Sequence, residues 1–181
     1  GATLATIAAA RGLPGRLVLL APFYRLAWAD RLVGRSAALV RFVAPVIPRL
    51  FKGRINHTEG RRAYPLGTYL VSLMGYLHLR ELAHRAALGA PAITIPTLVF
   101  IAGDDSVAES SSARALFKVH PSATVEVCRM SDHVVLYDVD RQAVVERVVR
   151  FFESPWSDLY DGGDVVSSQN SRKSSLSNPQ V

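Results

Sequence analysis

Two short loops carry the side chains best suited to catalysis. Asp105 lies in residues 102–107, which follow one apolar run of the sequence, and His133 lies in residues 131–134, which follow the next run. A carboxylate that orients an imidazole, and an imidazole that accepts a proton from a nucleophile, are two of the three groups of a Ser-His-Asp triad. The residue types therefore predict acid–base chemistry in support of a nucleophile. No serine of the chain lies in a Gly-x-Ser-x-Gly motif, so the third group is missing.

The two loops can act together only if the runs before them are neighbouring strands. Residues 97–102 form a short apolar run, which is typical of a strand buried on both faces of a parallel sheet. Residues 124–129 alternate between polar and apolar, as a half-covered strand does. Parallel strands lie ~4.8 Å apart, and ligands bind at the edge where their carboxyl ends meet. We therefore expect Asp105 and His133 to lie within hydrogen-bonding distance.

Both loops also have a purely structural interpretation. Glycine, aspartate and serine favour turns, so residues 103–106 are also typical of an ordinary turn. His133 is equally compatible with a partly buried loop histidine. Spacing alone therefore leaves the catalytic and the structural interpretation open.

The order of the remaining elements predicts an α/β fold with a parallel sheet. The pattern predicts helices over residues 2–11 and 110–119 and a further buried strand over residues 17–21. Residues 140–152 read as the last helix. Its buried stripe is expected to consist of Val144, Val145, Val148, Val149 and Phe152.

These elements divide the chain into four segments. Residues 1–22 form a core helix and strand, and residues 96–153 form the α/β core that carries the acid and the histidine. Residues 23–95 interrupt the alternation of strands and helices and are expected to form a helical insertion. Residues 154–181 are rich in serine and polar residues, cannot bury enough apolar surface, and are expected to be disordered.

Composition allows a single domain with a sizeable core. The chain has 181 residues, of which 49% are hydrophobic, and no apolar run approaches the ~20 residues of a membrane-spanning helix. Cys128 is the only cysteine, so no internal disulfide can form, and we expect a reducing compartment, the cytoplasm. Cys128 itself is expected to be a small buried hydrophobic residue rather than a nucleophile.

The net charge of +6 is concentrated in the insertion. A basic segment can attract nucleic acid, an anionic membrane or an acidic substrate. This segment has few interleaved aromatic residues and no nucleic-acid motif, so we expect no nucleic-acid partner. Its basic residues are Arg31, Arg35, Arg41, Arg49, Lys52, Arg54, Arg61 and Arg62.

The sequence predicts neither a metal site nor a cofactor. It has no His-Glu-x-x-His spacing and no glycine-rich loop of the kind that binds phosphates. Ordinary surface or core positions are expected for His57, His78, His84 and His120.

Several segments resemble α/β-hydrolases, in particular the carboxylesterase, monoacylglycerol lipase and lysophospholipase group of the serine aminopeptidase-like hydrolase family. Residues 96–107 resemble the strand and loop that bear the catalytic acid, and residues 131–136 resemble the histidine loop. Residues 149–153 resemble the end of the last helix. Residues 1–5 and 16–22 resemble the helix after the nucleophile elbow and the strand that follows it. The resemblance thus implies the carboxyl-terminal half of an α/β-hydrolase.

The resemblance implies a serine ester hydrolase that acts on acyl esters. It places the triad acid at Asp105, with Asp104 as the alternative one position earlier, and the base at His133. Gly1 matches the end of the Gly-x-Ser-x-Gly elbow, so the serine is expected about two or three residues upstream of this chain, which alone would be inactive. The residues around Ser36 resemble the elbow only loosely, and the sequence predicts no strand before them.

Three further aspartates lie near the histidine. Asp132 occupies a position where many relatives carry glycine, and it is expected to adopt a left-handed conformation, which aspartate tolerates. Asp138 and Asp140 are expected to cap the last helix. The helix before it is expected to start at Ser110, Ser111 and Ser112.

The insertion corresponds to the family's cap over the acyl pocket. One interpretation is a lid that binds an acyl chain and makes weak contact with an anionic membrane surface. We favour the other, a helical layer packed on its own domain with solvated arginines. The apolar residues concerned are Leu39, Val40, Phe42, Val43, Val46, Ile47, Leu50 and Phe51.

Three functions remain open from the sequence. The first is the serine ester hydrolase, and the second is a non-catalytic binding or interaction protein on the same fold. A dehalogenase or haloperoxidase is the third and would differ at the nucleophile position. Retention of both Asp105 and His133 favours the first, because a protein without catalysis has no chemical need for the pair.

Overall fold

The computed structural model describes residues 1–25, 55–63 and 73–155, and it confirms the expected α/β architecture with a parallel sheet. The strands are β1 (Leu17–Leu20), β2 (Thr97–Ala102) and β3 (Ala123–Cys128). The helices are α1 (Ala2–Ala10), α2 (Thr58–Ala63), α3 (Leu73–Gly89), α4 (Ser110–Phe117) and α5 (Arg141–Glu153), and short 3₁₀ turns span Ala90–Ala92 and Val135–Tyr137.

The described strands pair in parallel in the order β1-β2-β3. Leu20 of β1 lies opposite Phe100 of β2, and Ala102 at the end of β2 lies opposite Cys128 at the end of β3. The three carboxyl ends therefore lie at one edge of the sheet, which we call the carboxyl edge. The expectation that β2 and β3 are neighbours is confirmed.

Strand β2 is buried along its whole length, which explains its continuous apolar sequence. Val99 and Ile101 belong to one core cluster, which also contains residues of α1, α3 and α4. Leu98 and Phe100 belong to a second cluster, which contains residues of α5. Successive side chains of a strand point to opposite faces, so a strand between two helical layers must be apolar at every position.

The amino end of α1 is tied to the carboxyl edge. The Thr3 hydroxyl donates to the Phe23 carbonyl over 3.1 Å, and the hydroxyls of Thr6 and Tyr24 lie 2.8 Å apart. Because Phe23 and Tyr24 follow β1 closely, these bonds hold the start of the helix beside the end of that strand. Burial raises the pKa of Tyr24 to about 12, and the hydrogen bond with Thr6 offsets part of the rise.

The buried stripe of α5 differs from the expected one. Val144 and Phe151 are buried and Val148 is partly buried against the same cluster. The expected residues that are exposed instead are Val145, Val149 and Phe152. The helix carries two adjacent apolar stripes, and its periodicity does not say which one meets the sheet.

The insertion is anchored beside the histidine loop through α2. Gly60 is buried, and a Cβ atom on it would lie 1.7 Å from the Tyr137 carbonyl oxygen. Ile55, just before α2, is 2% exposed. The helix backbone therefore approaches the 3₁₀ turn so closely that only glycine fits at position 60.

Gly60→Ala should lower the free energy of unfolding by about 2 kcal/mol, because overpacking forces the backbone at a close contact to shift. The measurement is urea unfolding followed by circular dichroism. Arg62→Ala, at an exposed position of the same helix, is the control and should change stability by less than about 0.5 kcal/mol. Equal stability of Gly60→Ala and the wild type would contradict the packing of α2 against Tyr137.

Several expectations concern residues outside the described ranges. They include the alternative nucleophile Ser36, the apolar and most of the basic residues of the insertion, and the tail from residue 156 onward. Within residues 1–25, 55–63 and 73–155, no helix combines the length and apolarity needed to cross a bilayer.

Candidate active site

The Asp105 carboxylate is buried and fully engaged. One oxygen, Oδ1, accepts hydrogen bonds from the backbone N–H groups of Val107 and Ala108 over 2.9 and 2.7 Å. The other, Oδ2, lies 3.0 Å from His133 Nδ1, and the aspartate side chain is only 2% exposed. One oxygen of Asp105 thus stabilises the turn that follows it, and the other contacts His133.

His133 presents its second ring nitrogen for further chemistry. A carboxylate beside Nδ1 favours the tautomer of a neutral ring in which Nδ1 carries the proton and donates, and in that tautomer Nε2 is an acceptor. The side chain is 25% exposed. Among the described residues, none forms a hydrogen bond with Nε2.

The acid loop, residues 102–107, and the histidine loop, residues 131–134, leave the sheet in direct contact. The Gly103 N–H donates to the Cys128 carbonyl over 2.7 Å, which continues the β2–β3 pairing past the end of the strands. A Cβ atom on Gly103 would lie 3.0 Å from both the Cys128 carbonyl oxygen and Arg129 Cα. Glycine at this position therefore allows the acid loop and the histidine loop to approach each other.

Asp132 does not adopt the expected left-handed conformation. Among the described residues, Ala21 is the only non-glycine residue with a positive φ. Asp132 is instead 1% exposed, and its carboxylate accepts hydrogen bonds from Ser106 and from the His133 N–H. These bonds hold the loop in an ordinary backbone conformation and make glycine unnecessary there.

Asp138 does not cap the last helix as expected. Its Oδ1 accepts from the N–H groups of Asn56 and His57, both over 2.8 Å, and from Val139 over 2.9 Å. Its Oδ2 accepts from the Asp132 N–H over 2.8 Å. Asp138 is 2% exposed. Its side chain therefore forms a buried connection between the insertion and the histidine loop.

Asp140 stands at the amino-terminal cap position of α5, but its side chain does not cap the helix. The carboxylate turns back to the histidine loop and accepts from the Met130 N–H over 3.0 Å and the Ser131 hydroxyl over 2.8 Å. The expected capping role is wrong for both aspartates, because Asp138 accepts from the insertion and the histidine loop and Asp140 accepts from Met130 and Ser131.

The other candidate residues lie apart from the pair. Asp104 is exposed, and its N–H donates to the Ser131 carbonyl rather than to any group of His133. Burial raises the pKa of the Cys128 thiol to about 12, with smaller contributions from the charges of Asp140 and Glu126. A buried thiol that resists ionisation is a poor nucleophile, as expected from the sequence.

The described part of the chain brings no three histidine, cysteine, aspartate or glutamate residues together in a way that could hold a metal ion. His57, immediately before α2, accepts at Nδ1 from the Gly60 N–H over 3.2 Å. His120 is buried beside the Phe117 ring.

Sequence reasoning did not single out Ser106. Its N–H lies 2.8 Å from Asp132 Oδ1, and its hydroxyl lies 2.7 Å from Oδ2. The only sequence signal was indirect: an aspartate beside the candidate base needs hydrogen-bond donors nearby if it is buried. Which residue supplies them depends on how the two loops meet.

No protein-family model and no curated protein sequence matches this chain. The solved structures similar to it include three lipases or lipolytic enzymes. One of the metagenome-derived lipolytic enzymes LipS and LipT is 16% identical with a TM-score of 0.64, over 83% of this chain and 60% of that one. The monoacylglycerol lipase of Paleococcus ferrophilus is 17% identical with a TM-score of 0.61, over 84% and 64%.

The third is a soluble variant of the monoglyceride lipase of Saccharomyces cerevisiae, which is 10% identical with a TM-score of 0.59, over 84% of this chain and 58% of that one. The chain therefore spans about three fifths of the length of these structures. At such low identity the likeness establishes the fold. The chain has the α/β-hydrolase fold, and it corresponds to the carboxyl-terminal portion of that fold.

Proposed function

We propose that this chain carries the acid and the base of a serine ester hydrolase. The observation behind the proposal is the 3.0 Å contact between Asp105 Oδ2 and His133 Nδ1 at the carboxyl edge of an α/β-hydrolase sheet. A serine nucleophile needs a general base in a fixed orientation, and a buried carboxylate on Nδ1 supplies it. Asp105 is accordingly the triad acid and His133 the base.

The nucleophile in this proposal comes from a segment that precedes Gly1 in a longer protein. In the Gly-x-Ser-x-Gly elbow, serine lies on a sharp strand-to-helix turn, and the N–H of the next residue contributes to the oxyanion hole. Helix α1 would follow that turn. The bond from Thr3 to the Phe23 carbonyl supports this placement, because it holds the amino end of α1 at the carboxyl edge.

The proposed reaction proceeds through an acyl-enzyme. His133 Nε2 accepts the serine proton as the serine oxygen bonds to the ester carbonyl carbon, and Asp105 stabilises the imidazolium that forms. When the carbon–oxygen bond of the ester breaks, the imidazolium donates that proton to the leaving alcohol. His133 then accepts a proton from water as the water oxygen bonds to the acyl carbon. When the bond from that carbon to the serine oxygen breaks, the imidazolium returns the proton to the serine oxygen, and the carboxylic acid is released.

The proposed substrates are small-molecule acyl esters, in line with the lipolytic and monoacylglycerol lipase activities named for the similar structures. Residues 23–95 would form the cap over the acyl pocket. Support comes from Asp138, whose carboxylate binds Asn56 and His57 of the insertion and the backbone of the histidine loop. Weak contact with an anionic membrane surface and a cytoplasmic location stay predictions.

A fluorophosphonate probe tests the proposal. The 181-residue chain should not be labelled, whereas a version extended upstream through the elbow and the first strands should be labelled and should hydrolyse short or medium acyl esters. The elbow Ser→Ala variant of the extended version is the matched control and should lose both properties.

Two results would contradict this assignment. Labelling of the 181-residue chain that disappears in Ser36→Ala would place the nucleophile inside the insertion. An extended version that binds acyl esters without hydrolysing any of them would favour the non-catalytic binding protein.

A further inference from the structure

We infer that Asp132 is a positioning residue, whose buried carboxylate joins the acid loop to the histidine loop and thereby holds Asp105 against His133. This inference rests on the proposed function, since it assigns Asp132 to the service of that catalytic pair. Asp132 is not expected to touch the substrate or the reacting atoms.

The bridge consists of bonds to the residue after the acid and to the base itself. Asp132 Oδ1 lies 2.8 Å from the Ser106 N and 2.6 Å from the His133 N. The Ser106 hydroxyl lies 3.0 Å from Oδ1 and 2.7 Å from Oδ2. One side chain thus binds the backbone of both loops, one position beyond Asp105 and at His133.

Asp138 holds Asp132 in place through a further hydrogen bond. The Asp132 N–H donates to Asp138 Oδ2 over 2.8 Å, and both aspartates are nearly inaccessible to water, at 1% and 2% exposure. A hydrogen bond to a charged acceptor is roughly twice as strong as a neutral one. A glycine at position 132 would keep this N–H but could not accept from Ser106 and from the His133 N–H, so the aspartate side chain adds a constraint on the distance between the two loops.

This constraint matters because the acid–base contact depends on the relative position of two loops. Asp105 Oδ1 is already occupied by Val107 and Ala108, so only Oδ2 meets the imidazole. A separation of the loops by about 1 Å would break that contact and cost on the order of 100-fold in a catalysed rate. The tautomer of His133 reports the same contact without any reaction.

The test measures the neutral tautomers of His133 by ¹⁵N NMR of the imidazole in the 181-residue chain. His133→Gln assigns the signals, and Asp105→Asn shows the loss of the acceptor at Nδ1. The wild type should have the Nδ1–H tautomer as its dominant neutral form, because the carboxylate accepts that proton. Asp132→Ala should lose this dominance while its backbone amide spectrum keeps the dispersion of a folded protein.

Asp132→Asn tests whether the bridge acts through hydrogen bonds. Its amide oxygen can still accept from the Ser106 and His133 N–H groups, so the Nδ1–H tautomer should be largely restored. Asp140→Asn is the matched control, since Asp140 binds Met130 and Ser131 of the same loop but no residue of the acid loop. It should leave the tautomers of His133 unchanged.

A wild-type tautomer distribution in folded Asp132→Ala would overturn the inference, and so would a wild type in which Nδ1–H is the minor form. If Asp132→Ala does not fold, Asp132→Val decides, because it also removes both carboxylate oxygens but leaves a larger side chain to fill the site; a wild-type distribution there contradicts the bridge. None of these readings requires catalysis. Failure of the extended version to hydrolyse esters would remove the proposed function and leave the result for Asp132 standing.

Discussion

Asp105→Asn and His133→Ala should each reduce kcat for ester hydrolysis by about 10⁴-fold in a version of the protein that carries the upstream elbow. Asparagine keeps the shape of the acid, but its oxygen is held at the position that accepts from the Val107 and Ala108 N–H groups, so its NH2 group faces His133 Nδ1. A donor there stabilises neither the Nδ1–H tautomer nor the imidazolium. Alanine at 133 removes the group that accepts the serine proton. The double variant should be little slower than either single one, because residues that act as a unit do not contribute additively.

The measurement is hydrolysis of a chromogenic acyl ester at saturating concentration. Asp104→Asn is the matched control, since Asp104 is adjacent, acidic and exposed, and its kcat should stay within about twofold of the wild type because surface changes have small effects. Full activity of Asp105→Asn or of His133→Ala would refute the assigned role. A loss in Asp104→Asn with full activity in Asp105→Asn would move the acid to Asp104.

Asp138→Ala should lower the free energy of unfolding by on the order of 3 kcal/mol, because it leaves several backbone donors without their acceptor. The donors are the N–H groups of Asn56, His57, Asp132 and Val139. Of these, Asp132 lies deepest, so its N–H has the least access to replacement water. The substitution should also release residues 55–63 from the histidine loop.

Urea unfolding gives the stability, and amide hydrogen exchange in α2 and in residues 131–134 shows whether both segments open together. Asp140→Ala is the control, because its carboxylate serves the same loop through Met130 and Ser131 but does not reach the insertion. We expect a loss of about 1 kcal/mol there and no change of exchange in α2. A larger effect from Asp140→Ala than from Asp138→Ala would show that the insertion is held by other contacts.

The sequence predicted the elements that position the candidate site because their signals are local. The apolar run of residues 97–102 has the bounds of β2, and the loop after it carries Asp105 as expected. The alternation of residues 124–129 likewise predicted β3 to within one residue at each end. Periodicity failed for α5, where Phe151 rather than Phe152 is buried, because two apolar stripes were available and the sheet selected one.

By itself, the sequence determined the strand–loop pattern that brings Asp105 and His133 to one edge of a parallel sheet. Only the tertiary structure decided what the neighbouring carboxylates bind. Asp132 binds Ser106, 26 residues away, and Asp138 binds Asn56, 82 residues away. Side-chain periodicity and turn propensity are properties of adjacent residues, whereas an acceptor takes whichever donors the folded chain places beside it. The helix caps expected for Asp138 and Asp140 were the local option. Donors from the distant insertion displaced the cap at Asp138, and donors from the preceding loop displaced it at Asp140.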